Sequence, residues 1–257
     1  MPRSLTLRLD DYDLEDYAPQ AANYGQSSFD YVVTPNVDHV IRFCDDPAFR
    51  ALYADAGRVL LDSRLLARIL TLTRGLRPRV CLGSDLTARL FSIIAPHDRI
   101  VLIGASTQQA RRLAQIYGLL DLRHYSPPMG FIRDRQAVER ALQFVEAHSP
   151  FRFCFLAVGS PQQEMLAQEL KQRGSARGLA LCIGASINFL TGAERRAPRW
   201  MQRMNLEWLY RLLQDPGRLA KRYLVRGPRI FALLPRLRVE LRRATAAGDE
   251  RSSPGRL

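Results

Sequence analysis

The chain is 257 residues long, 47% apolar and 25% charged, which excludes disordered, collagen-like and low-complexity classes and allows one large domain with an appendage. Its net charge of +13 is uneven: from Arg195 onward 16 basic residues face 5 acids, so residues 1–194 carry only +2. A basic block of that kind seeks a polyanion, either nucleic acid, an anionic membrane surface or substrate phosphates.

In chain order, the first segment carries five acids between Asp10 and Asp16 and no apolar core of a secretory signal, so residues 1–24 are expected to fray in solvent. From about residue 29 to 190, short apolar runs bounded by turn residues alternate with segments of helical period. The predicted strands are FDYVV (29–33), RVLLD (58–62), RVCLG (79–83), RIVLIG (99–104), LRHY (122–125), FRFCFLAVG (151–159) and LALCIG (179–184). Predicted helices cover 38–53, 63–74, 85–94, 107–117, 134–148 and 161–173. This is an α/β pattern, a Rossmann-like, mostly parallel sheet flanked by helices, with a core at 25–194. After Thr191 the rhythm stops. Residues 195–247 read as a C-terminal helical appendage, amphipathic and basic, and 248–257 as a disordered tail. No apolar stretch reaches the ~18 residues of a membrane span. Cys44, Cys81, Cys154 and Cys182 show no paired spacing and read as reduced core residues of a cytoplasmic protein.

In such sheets ligands bind beyond the carboxyl ends of the strands, which directs attention to the residues that follow each one. Asp62 closes a strand there: it is either a general base or the cap of the helix that begins at Ser63. Thr34 and Asn36 flank Pro35 in a stiff turn that explains them equally well as turn and cap. Gly104 opens a helix whose N-terminus suits a diphosphate, though many such turns bind nothing. Gln163 and Glu164 project from the first turn of the next helix, where Glu is also favoured by the helix dipole. Arginines interleaved with aromatics, among them Arg196, Arg211, Arg218 and Arg222, are either a solvated face or a phosphate clamp. The four histidines have no ligand-like spacing, so no metal site is expected, and the absence of a glycine fingerprint or Walker sequence disfavours a dinucleotide cofactor.

The blocks V-V-T-P-N, L-L-D, R-V-C-L-G-S-D-L, V-L-I-G-A, P-P-M-G-F, V-G-S-P-Q-Q-E, F-L-T-G-A-E-R-R-A-P-R-W and L-E-W-L-Y-R-L-L-Q-D-P-G-R, in that order over about 30–225, together resemble the WecG/TagA/CpsF glycosyltransferases, with the exopolysaccharide branch nearest. The resemblance implies an inverting, metal-independent transfer from a UDP-sugar, of N-acetylmannosamine or glucuronic acid type, to a polyprenyl-diphosphate-linked sugar. It sets the base on Asp62 and substrate contacts on Thr34, Asn36, the pocket arginine Arg79, Gln163 and the tail arginines Arg211, Arg218 and Arg222. The expected partners are the donor, the lipid-linked acceptor and an anionic membrane at the inner face of the cell membrane, with a second copy of the chain left open. Where the family usually has Asp-Gly, this chain has Asp62-Ser63. A chain cut near Arg195 is expected to be soluble and nearly inactive. The rival is a basic nucleic-acid-binding α/β protein, disfavoured because the charge lies on Leu-rich helices that carry no nucleic-acid-binding motif; a Rossmann-type oxidoreductase is weaker still.

Overall fold

The structure is a computed structural model that describes residues 5–198, 200–201, 204 and 207–243. The chain opens with β1 (Leu5–Asp11) and α1 (Leu14–Ala22). It then alternates through β2 (Phe29–Val33), α2 (Val37–Asp45), α3 (Pro47–Ala54), β3 (Arg58–Val59), α4 (Arg64–Arg74), α5 (Gly83–Phe91), β4 (Ile100–Gly104), α6 (Thr107–Tyr117), β5 (Leu122–Tyr125), α7 (Arg135–Ala147), β6 (Phe153–Ala157), α8 (Gln162–Arg173), β7 (Gly178–Cys182) and α9 (Ser186–Leu190). The appendage holds α10 (Glu207–Gln214), α11 (Pro216–Ala220), a π-helical stretch (Lys221–Arg226), α12 (Arg229–Leu233) and β8 (Leu237–Arg243).

Six strands form one sheet in the order β3-β2-β7-β6-β4-β5, every neighbouring pair parallel. Parallel strands are covered on both faces, which is why they read as unbroken apolar runs. Tyr31, Val33, Val101, Ile103, Cys154 and Leu156 face a layer built by α2, α3, α4, α7 and α8. Val32, Ile100, Leu102, Phe153, Phe155 and Leu181 face α1, α5, α6 and α9. Each such side chain, fully buried, contributes roughly 1.5–3 kcal/mol. From β4 the chain leaves through α6 on one face to reach the edge strand β5, and from β6 it leaves through α8 on the other face to reach β7. The crevice where these paths diverge lies at the carboxyl edge, where a ligand is held in sheets of this kind.

Several expected elements differ. The helix expected over 38–53 is two helices, because Asp46 caps α3 and Pro47 occupies its first position, a pair that ends the preceding helix. RVCLG is not a strand: the stretch before α5 runs extended beside the end of β3, with the Cys81 N–H on the Leu61 carbonyl at 3.0 Å. The N-terminus expected to fray instead forms β1 and α1. β1 pairs in parallel with β8, Leu5 opposite Leu237 through Asp11 opposite Arg243, so the last described stretch of the basic appendage is a strand and not a helix. Leu7 and Leu9 are buried with Leu237 and Val239. Asp10, 6% exposed, accepts from the Val59 N–H at 2.7 Å and from Arg242 at 3.0 Å. Arg74, in the last turn of α4, donates to the Leu234 and Leu237 carbonyls at the entry to β8. The tail segment expected to be disordered, 248–257, lies outside the described residues.

Candidate active site

The chain beyond β3 stays extended: the Asp62 N–H donates to the Pro35 carbonyl at 2.9 Å, which sets Asp62 beside the turn that follows β2. Ser63, not Asp62, caps α4, its hydroxyl accepting from the Leu66 N–H at 3.1 Å. The Asp62 carboxylate instead accepts the Gly83 N–H at 3.1 Å and braces the start of α5, which has no cap from its own Leu82. Asp62 is half-buried at the carboxyl edge of the sheet. Thr34 closes the other side: a side chain at position 83 would put Cβ 2.8 Å from the Thr34 Oγ1, so glycine is required by that approach. Ser63 has φ −161°, an extended backbone that any residue adopts, so replacing the family's glycine there costs no strain.

Arg196 ties the appendage to this corner. Its Nη2 donates to the Ser84 Oγ at 2.6 Å and pairs with the Asp85 Oδ1 at 2.6 Å, in the first turn of α5 and next to the glycine that Asp62 holds. The guanidinium lies over the Phe189 ring at 5.8 Å, and its Nε is buried without a hydrogen-bond partner.

On the other side of β7, Gly104 ends β4 at φ +93° and Ala105 follows at +59°. A Cβ at 104 would sit 2.6 Å from the Ala157 carbonyl oxygen, so both the dihedral and the closeness of β6 demand glycine. Ser106 and Gln109 make a reciprocal capping box that opens α6. The His124 Nε2 lies 3.0 Å from the Gly104 carbonyl. The Gln109 amide donates to Asn188 of α9 at 2.7 Å, and Asn188 donates to Glu194 at 2.8 Å, so α6 is joined to α9. Gln163 reaches the turn between β7 and α9: its Oε1 accepts the Gly184 N–H at 2.9 Å while its Nε2 donates to Glu164 at 3.0 Å. Thr34 donates to the Cys182 carbonyl at 3.5 Å, a weak bond. The carboxyl end of β7 is thus shared by Thr34 and Gln163, and α9, which follows it, is tied to α6.

The expected residues separate into groups. Asp62, Thr34 and Arg196 surround the start of α5, and Gly104 belongs to the α6 opening. Asn36 caps α2 in a box with His39. Gln163 and Glu164, expected to touch substrate, are 3% and 1% exposed and spent on the protein itself. Arg79 turns toward the β1–α1 junction, where Asp13 and Asp16 pair with it and Asp11 accepts its N–H at 2.8 Å. Arg211 lies in α10, Arg218 in α11 and Arg222 in the π-helical stretch, and the side chains of all three lie outside the described residues. Gln109, Asn188 and His124 were not singled out in the sequence; Asn188 falls among the residues after a strand, but nothing local marks Gln109 as its partner. Among the described residues no group of three or more His, Cys, Asp or Glu is placed to hold a metal ion. A cavity of about 280 Å³ opens at the amino ends of β2, β3 and β7, beside Tyr17 and Arg58, at the far end of the strands from Asp62.

A family model described as "Glycosyl transferase WecG/TagA/CpsF family" matches residues 3–244. An N-acetylglucosaminyldiphosphoundecaprenol N-acetyl-beta-D-mannosaminyltransferase of Bacillus spizizenii is 26% identical over 194 residues, 73% of this chain and 72% of that protein. A protein of the same name from Bacillus subtilis is 32% identical over 124 residues, 47% of this chain and 46% of its own length.

Proposed function

The chain belongs to the WecG/TagA/CpsF family of glycosyltransferases, and on that premise we propose that it moves a sugar from a UDP-sugar to a polyprenyl-diphosphate-linked sugar with inversion at the anomeric carbon. The observation that carries the reading is the Asp62 corner, a half-buried carboxylate at the carboxyl edge that is not spent on capping its own helix. Asp62 takes the proton of the acceptor hydroxyl as that oxygen forms a bond to the anomeric carbon. The bond from that carbon to the diphosphate oxygen breaks on the opposite face, and UDP leaves with the electron pair. The α6 N-terminus and arginines of the appendage, with Arg211, Arg218 and Arg222 the candidates, oppose the charge that develops there. Gln163 and Glu164 support the β7 turn and do not line the cleft. The two relatives' names favour an N-acetylmannosamine donor and an undecaprenyl-diphosphate-linked N-acetylglucosamine acceptor; the exopolysaccharide resemblance favours a glucuronic acid donor.

The appendage supplies a reason for the enzyme to sit on a membrane. No described helix is long and apolar enough to cross one. Trp200, Leu213, Leu224, Val225 and Phe231 are exposed apolar side chains in a strongly basic stretch. Each Lys or Arg near an anionic surface contributes on the order of 1 kcal/mol, and inserted apolar side chains add to it. The test of the activity is incubation with a panel of UDP-sugars and a polyprenyl-diphosphate-linked sugar, with the product identified by mass. A product with any one donor supports the transfer; hydrolysis alone, or no product with all donors, overturns it.

A further inference from the structure

Glu164 is more deeply buried than any other acid among the described residues, at 1% exposure. Asp10, the next, has Arg242 as an ion-pair partner; Glu164 has no cation within ion-pair distance among the described residues. Its Oε1 accepts from the Gln163 Nε2 at 3.0 Å, and its Oε2 is buried without a hydrogen-bond partner. Around it stand Arg42 from α2, Tyr53 from α3, Tyr31 from β2, Cys182 from β7 and the Ser160 hydroxyl. Arg42 is the one cation of this group, and its Nη1 donates to Ser160 at 3.2 Å while its Nη2 faces Asp38 at 3.9 Å. The Tyr53 hydroxyl is itself buried without a partner.

The amide of Gln163 is fixed by this arrangement. The Gly184 N–H needs an acceptor, so the carboxamide oxygen faces it and the NH2 group is left facing the acid. An ionised Glu164 would put a charge with an orphaned oxygen in the interior; the neutral acid still offers Oε1 to Gln163 and avoids the charge. We propose that Glu164 is a positioning residue, carried as the neutral acid, that holds Gln163 against the Gly184 N–H and so fixes the turn between β7 and α9, next to the Cys182 carbonyl that Thr34 meets. The proposal rests on the transferase reading for its effect on turnover, though not for its effect on stability.

Burial pushes the Glu164 carboxyl above the ordinary glutamate range, against the opposing influence of Gln163, its own backbone N–H, the nearby Ser160 hydroxyl and the charge of Arg42. A raised folded-state value means stability that is present in full below the unfolded glutamate value and lost as pH rises through the folded one. Tyr31, Tyr53 and Cys182 are all pushed upward by burial and stay neutral over that window, so they do not mask the transition.

The test compares wild type with Glu164→Gln and Glu164→Ala from about pH 5 to about pH 9 by thermal unfolding and by kcat and KM. Wild type should lose thermal midpoint as pH rises above the glutamate range, and Glu164→Gln should not. Glu164→Gln should keep kcat within about threefold and lack the wild-type alkaline decline, whereas Glu164→Ala should lose tenfold or more in kcat with little change in donor KM, as a misplaced turn of about 1 Å does. Parallel midpoint profiles for wild type and Glu164→Gln overturn the neutral acid. A Glu164→Gln variant that folds but is as inactive as Glu164→Ala shows that the charge is needed and overturns it also; wild-type kcat in Glu164→Ala overturns the positioning role. If wild type itself transfers no sugar, the transferase reading fails and the unfolding profiles still decide the state of Glu164.

Discussion

Asp62 stays off the cap of α4 because of what its neighbours do: Ser63 takes that cap, and Gly83 presents its N–H to the carboxylate. Asp62→Asn keeps an oxygen for that N–H and removes the basic group. We expect kcat to fall by roughly 10²–10⁴ in a variant that still folds, measured by product formation and by calorimetry. Ser63→Ala should cost about 1 kcal/mol by removing the cap, while Ser63→Gly, the residue usual in the family, should cost only a few tenths. Gly104→Ala meets both a left-handed dihedral and the Ala157 carbonyl, so it should lower stability by about 1–3 kcal/mol and reduce turnover with it. At this scale the sequence was informative about which residues follow strands, and so about Asp62, Thr34 and Gly104. It could not separate a residue that faces a cleft from one that supports it. Gln163 and Glu164 show why: their position in the chain is that of ligands, and only the Gly184 N–H and the surrounding interior reveal them as supports.

The elements divide along the same line. FDYVV coincides with β2 because its largely apolar run is bounded by turn residues, and LRHY coincides with β5 although only Leu122 and Tyr125 in it are apolar. RVCLG carries the same composition, yet lies beyond the end of the two-residue β3 and meets only its continuation, so no ladder forms. The β1–β8 ribbon was missed although both strands alternate, with Leu5, Leu7 and Leu9 opposite Leu237, Val239 and Leu241. Acids next to one strand and arginines within the other mask a period of two, and the partners lie 232 positions apart, where no local signal reaches. Leu9→Ala, at 1% exposure, should cost about 2–5 kcal/mol if the ribbon is as well packed as the main sheet, read as a shift in denaturant midpoint. The ribbon also changes what a shortened chain would report. A cut near Arg195 removes β8 as well as the basic helices and uncovers Leu7 and Leu9, so the expected soluble product should be destabilised instead.

For the whole molecule the charge asymmetry is best tested without that cut. Lys221 and Arg226 are exposed, and reversing both to Glu leaves the ribbon and the Asp62 corner untouched. The double variant should bind anionic vesicles roughly tenfold or more weakly, since each charge contributes on the order of 1 kcal/mol. Binding of the wild type should fall as salt shortens the Debye length from ~10 Å at 0.1 M. Sedimentation with vesicles reads both, and tighter retention on DNA than on vesicles at the same salt would favour the nucleic-acid rival. The parallel sheet, its two apolar layers and the order of its helices were legible because each follows from local periodicity, whereas the way the appendage returns to the core depends on Arg196, Asp85 and β8 meeting across the chain.

That return has a consequence for biosynthesis. β1 is made before the strand that completes it, which follows 232 residues later. At ~5–20 residues per second, the early strand waits on the order of tens of seconds with its edge and its leucines uncovered. A nascent chain of this protein is therefore exposed to mispairing and to chaperone capture at β1 until β8 has been made.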